Sequence, residues 1–143
     1  MKTREIIQIV VIGSVLLGGI GVAVTKLTAK PSSETSISVT VPDFSPAAIR
    51  GERVYNNSCL SCHGENGAGS ESGPPLVHDI YNPGHHDDSS FYRAVRNGVQ
   101  RHHWQFGNMP PRPEVSDSEV AYILNYVREL QRANGIRYRQ HRM

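Results

Sequence analysis

Cys59-Leu60-Ser61-Cys62-His63 holds both cysteines of this 143-residue chain, with a histidine directly after the second. A C-x-x-C-H stretch reads as a site of covalent haem attachment of the c type. Two thiols three positions apart reach the two vinyl groups on one edge of a porphyrin. The residue that follows is then held beneath the ring, where its imidazole can ligate the iron. Two other chemistries use C-x-x-C. A redox-active dithiol belongs in a βαβ setting, of which the sequence shows no sign, and a zinc site of this kind needs a second cysteine pair, which the chain lacks.

A haem iron held by His63 takes a second axial ligand, and the methionines narrow the choice. There are three: Met1, Met109 and the terminal Met143. Met109 sits in Gly107-Asn108-Met109-Pro110-Pro111, which prolines stiffen and keep out of a helix. A methionine that only filled a core would sit on an apolar helical face. His78, His85, His86, His102 and His103 are the competing ligands. His85-His86-Asp87-Asp88 reads as a solvated turn ahead of a helix, and no other local spacing supports a copper or zinc site there. His102-His103-Trp104 is close enough in sequence to Met109 to line the same pocket.

Three helices are predicted around these residues. Ser45-Pro46 is a cap followed by proline at the first helical position, and the helix runs to about Asn56-Asn57. The second starts at Asp88 or Ser89, carries Phe91, Ala94 and Val95 on one face, and stops at Gly98. The third opens with the capping box Ser116-Asp117-Ser118-Glu119, carries Val120, Ile123, Leu124, Val127 and Leu130, and ends at Gly135. Between the first two, His63 to Asp87 is a long polar stretch with five of the thirteen glycines and three prolines. A loop of that length fits a small domain if it wraps a large apolar ligand.

Together these residues resemble class I (mitochondrial/bacterial-type) monohaem cytochromes c, over about Ser45 to Leu130. Cys59 to Gly69 looks like the family's haem-binding stretch with its glycine loop, Ser72-Gly73-Pro74-Pro75-Leu76 is similar to its Gly-Pro-x-Leu segment, and Asn108-Met109-Pro110-Pro111 is similar to its axial-methionine loop. The resemblance implies an all-α cytochrome c fold around one covalent haem c, held by Cys59 and Cys62 and ligated by His63 and Met109. It further implies that the Pro74 carbonyl accepts a hydrogen bond from His63, which would orient the imidazole and strengthen it as a donor. Gly51 and Tyr55 match the positions where the terminal helices cross, with Ile123 and Tyr126 facing them. His78 departs from the family's pattern, at a place where relatives often have glycine. On chemistry alone, Tyr81, Arg101 and Trp104 are candidates to hold the propionates.

The chain ahead of this domain is of another kind. Ile6 to Val24 is aliphatic apart from glycines, Gln8 and Ser14, and is bracketed by Lys2, Arg4, Lys26 and Lys30. About 19 residues at 1.5 Å each span roughly 28 Å, near the hydrocarbon thickness of a bilayer. It is longer than the core of a cleaved secretory signal and has poor cleavage sites, so a single uncleaved transmembrane anchor is expected. Its cations favour a cytoplasmic N-terminus, with the haem domain on the extracytoplasmic (periplasmic) side of the plasma or inner membrane. The segments are then a cytoplasmic N-terminus (1–5), an anchor (6–24), a Ser/Thr/Pro-rich linker (25–44), a haem domain (45–131) and a basic tail (132–143). Ile37, Val39 and Val41 alternate with polar residues as a short strand would.

The net charge of +2 divides unevenly. Residues 31–131 carry seven Arg against twelve Asp and Glu, or −5, while Arg132, Arg137, Arg139 and Arg142 make the tail +4. The tail is read as a frayed, solvated end. The function implied is an electron carrier rather than an enzyme, passing single electrons between respiratory or photosynthetic partners. Its partners are redox proteins and the membrane, with no nucleic acid. Two alternatives keep the haem: a fixed subunit of a larger membrane oxidoreductase complex, and a sensor or peroxidase with Met109 displaced.

Overall fold

The computed structural model describes residues 36–140. The apolar stretch Ile6 to Val24 and its flanking cations lie outside them. Among the described residues no helix is long and apolar enough to cross a membrane. The described part is helical, with no strand and one isolated bridge between Val99 and Met109.

Four α-helices form among the described residues, three of them capped at the start by a side chain. Helix α1 is Pro46–Ser58, with proline in its first turn. The extended N-cap Ser45 accepts the Ala48 amide on its hydroxyl at 3.2 Å. Helix α2 is the single turn Leu60–His63. Helix α3 is Asp88–Asn97, capped by the Asp87 carboxylate on the Ser90 amide and closed by Gly98. Helix α4 is Asp117–Ala133, opened by a complete Ser116/Glu119 capping box. It ends in a Schellman turn: the Gly135 amide donates to the Arg132 carbonyl, Ile136 to that of Gln131, and Gly135 has φ +79°.

The core forms where α1 crosses α4. A Cβ on Gly51 would lie 1.9 Å from the Tyr122 carbonyl oxygen and 2.9 Å from Tyr126 Cβ, so only glycine lets the backbones approach this far. The residues facing Gly51 are therefore Tyr122 and Tyr126; Ile123, expected there, is rotated one position onward and borders a cavity. Tyr55 and Tyr126 are both fully buried, with ring centroids 5.2 Å apart, and Phe44 packs on the second ring. Each hydroxyl finds an acceptor, Tyr55 on the Gly64 carbonyl at 2.8 Å and Tyr126 on Asn66 Oδ1 at 2.9 Å. Burial pushes both phenols well above their ordinary range.

Two segments read as loose are docked instead. Residues 36–44 run extended along the domain: the Ile37 amide donates to the Ala68 carbonyl at 2.9 Å, and Ile37, Val39 and Phe44 pack against the core. Alternation predicts a strand here, but the segment gains no ladder and Val41 faces outward. Thr40 is clamped by Asn134, whose side-chain amide accepts from the Thr40 N–H and donates to its C=O, each at 2.8 Å. The basic tail is not frayed as far as residue 140. Ile136 is buried in the core, the Arg139 guanidinium pairs with Asp79 at 3.0 Å, and the Arg139 amide donates to Asn82.

Gly51→Ala should lower stability by about 2 kcal/mol, the cost of overpacking a close contact. Its urea midpoint should fall accordingly, whereas an unchanged midpoint would mean that α1 and α4 can separate without cost.

Candidate functional site

Helix α2 presents the C-x-x-C-H stretch as one helical turn. The Cys62 and His63 amides both donate to the Cys59 carbonyl, so the two thiols share a face. Both are half-buried free thiols. Burial is the main cause that pushes the Cys59 thiol up to about 11; the Arg112 cation opposes it, and Cys62 and Glu114 add to it. Gly64 then turns the chain at φ +73°, where an added Cβ would meet the Gly69 carbonyl oxygen at 2.2 Å. This turn lets the Gly69 amide reach back to the His63 carbonyl at 2.7 Å and brings the following loop over α2.

That loop delivers the Pro74 carbonyl to His63 Nδ1 at 2.9 Å. A carbonyl only accepts, so Nδ1 carries the proton and Nε2 keeps its lone pair. Burial lowers the His63 pKa, against the Pro74 bond that raises it, and the ring is neutral at physiological pH. Met109 comes from another loop and is held by its backbone: its amide and carbonyl exchange bonds with Val99 at 3.0 and 2.9 Å. Gly98, at φ +72°, permits that pairing, because a Cβ there would lie 2.5 Å from the Met109 carbonyl oxygen.

These elements enclose a cavity of about 780 Å³. Cys59, Cys62, His63, Pro74, Tyr81, Arg101, Trp104 and Met109 all border it, although they come from four separate stretches of sequence. Its other walls include Leu76, Phe91, Val95, Val99 and Ile123. The donor set suits a c-type haem: two thiols on one face, a neutral imidazole nitrogen, a thioether, and a largely apolar lining. Trp104 adds a polar feature, because its indole N–H is buried and makes no well-formed hydrogen bond. It lies toward the Tyr81 hydroxyl, whose pKa burial raises and the indole N–H partly lowers. Arg101 borders the cavity but is exposed, and its guanidinium donates to Gln105 at 2.9 Å. His78 does not line the cavity; it caps the turn Asp79–Tyr81 and sets its ring edge-on to Trp104 at 5.1 Å.

The family model for cytochrome c matches residues 48–131. The chain belongs to the cytochrome c family. It is an electron-transfer haem protein, and the family implies haem c for its cysteine pair. The chain is 28% identical over 87 residues to the cbb3-type cytochrome c oxidase subunit CcoP of Rhodobacter capsulatus, covering 58% of this chain and 29% of that protein. It thus spans less than a third of that relative's length.

In this cytochrome c the loop over the cavity is held by two residues that local sequence reading passes over. Arg128 and Gln131 lie on α4, are buried, and point into the loop. Arg128 donates to the Tyr81 and His86 carbonyls and to Gln131 Oε1 at 2.7–2.8 Å, and pairs with Asp88 at 2.9 Å. Gln131 donates to the Leu76 carbonyl at 2.9 Å. Their one sequence signal is a polar pair three positions apart beside the stripe of Leu124, Val127 and Leu130.

Arg128→Met keeps the bulk and removes the donors. It should cost about 2–3 kcal/mol, since buried carbonyls lose a charged partner, and amide exchange across residues 79–87 should quicken. A stability loss without faster exchange there would place the role of Arg128 in packing alone.

Proposed function

We propose that this protein is a membrane-anchored carrier of single electrons between respiratory or photosynthetic partners. One haem would be attached through Cys59 and Cys62, with His63 and Met109 as axial ligands. Bound haem supplies a one-electron iron couple. The observation that carries the reading is the meeting of both thiols, an oriented imidazole and a backbone-pinned thioether around one cavity.

Each residue has a task in this reading. The Pro74 bond fixes the His63 ring and makes its free nitrogen a stronger donor. The Val99 pairing keeps the Met109 thioether from swinging away, and a thioether favours the reduced state relative to a second imidazole. Trp104 and Tyr81 offer two donors side by side, suited to a propionate; Arg101, turned toward Gln105, is the weaker candidate. With His63 and Met109 both holding the iron, the chain would leave no place there for a substrate, which is why a carrier rather than an enzyme is proposed. The stretch Ile6 to Val24 would anchor the domain on the extracytoplasmic face.

A second reading makes the chain a fixed haem subunit of a larger membrane oxidoreductase. Two observations favour it: the similarity to part of an oxidase subunit, and the docking of residues 36–44, which removes them from any tether. Native electrophoresis of detergent-solubilised membranes separates the two. Migration of the haem with an oxidase activity supports the subunit, and migration at the mass of the single chain supports the carrier.

The wild-type oxidised protein should show a sulfur-to-iron charge-transfer band, and its reduced form should exclude carbon monoxide. Met109→Ala should lose the band, admit carbon monoxide, and lower the midpoint potential by on the order of 0.1 V or more. An unchanged redox titration would remove Met109 from the site.

A further inference from the structure

Two histidine pairs far apart in sequence, His85-His86 and His102-His103, meet at one lip of the cavity. His85 Nε2 and His103 Nε2 lie 3.1 Å apart. One imidazole nitrogen from each of His85, His86 and His103 falls within 4.8 Å of the other two. Nitrogen donors around a tetrahedral zinc ion, with Zn–N near 2.0–2.1 Å, stand about 3.3 Å apart, so the spacing of the two Nε2 atoms needs little adjustment. The third ring is already oriented. His86 Nδ1 donates to the Ile80 carbonyl at 2.7 Å, which leaves Nε2 as its coordinating nitrogen, the outer-sphere pattern usual for ligand histidines.

Neighbouring carboxylates are engaged elsewhere: Asp87 caps α3 and Asp88 pairs with Arg128. The donor set is therefore nitrogen, which suits zinc or copper rather than magnesium or calcium.

We infer that His85, His86 and His103 form a second metal site, independent of the cysteine-histidine stretch, that takes one Zn²⁺ or Cu²⁺ ion. The ion would staple the turn at residues 82–87 to the loop at 100–104, two walls of the same cavity. It would stabilise the folded state in proportion to its affinity. The assignment rests on the proposed reading in that Met109, and none of these three histidines, serves the haem iron.

The test uses the full-length haem-loaded protein in detergent, stripped with a chelator and titrated calorimetrically with ZnCl₂ and, separately, CuCl₂. One equivalent should bind per chain, copper more tightly than zinc, and the melting temperature should rise. The haem absorbance serves as the check on folding. His103→Gln, at an exposed position, and the double variant His85→Gln/His103→Gln should weaken binding by at least about 100-fold with that absorbance unaltered. Sub-stoichiometric binding to the wild type, or full binding retained by His103→Gln with its haem absorbance intact, would overturn the site.

Discussion

The backbone from Leu76 to His86 belongs neither to a sheet nor to a long helix, yet it walls a cavity, so its carbonyls must find donors from elsewhere. Helix α4 supplies them through Arg128 and Gln131, which reach the Leu76, Tyr81 and His86 carbonyls. The rest of the architecture serves to place those two side chains. Gly51 lets α1 press close to α4, the tyrosine pair fills the crossing, and the capping box and Schellman turn fix the two ends of α4. The guanidinium also lies over the Phe91 ring, 5.0 Å from its centroid, so one side chain joins α4, the loop and α3.

The donors around the cavity share a design. His63 and Met109 are each constrained by backbone groups rather than by other side chains, one through a proline carbonyl and the other through a two-bond bridge. Positions fixed in this way change little when the charge at the centre of the site changes. Such stiffness suits a site whose work is to gain and lose an electron without rearranging.

Much of this was legible in the sequence where the signal is local. Ser45, Ser116 and Glu119 are caps by chemistry and cap the predicted helices; Gly98 and Gly135 end them. The cysteine-histidine stretch, Pro74 and Met109 each carry a short motif, and the structure brings them to one cavity. What escaped depends on long-range placement. Opposite Gly51, Tyr126 stands where the resemblance puts it, but Tyr122 takes the place expected for Ile123, because one residue along a helix turns the side chain by about 100°. Arg128 and Gln131 carry no local signal of their role, since their partners lie some 40 to 55 residues earlier. The histidine pairs could not be joined from spacing, because the loops that bring them together have no periodicity to read. Composition likewise placed residues 36–44 in a linker; a few buried side chains and the Asn134 clamp make them part of the fold.

That clamp has a mechanical consequence. Thr40 and Asn134 are 94 positions apart and are joined by two hydrogen bonds from a single side-chain amide, which also donates to the Leu130 carbonyl. Force applied from the N-terminal side reaches the Ile37–Ala68 bond and this amide before it reaches α1. It is thereby diverted into the C-terminal end of α4 and its core contacts. The domain has a strain relief at its point of entry, and the cavity's own hydrogen bonds stand behind it.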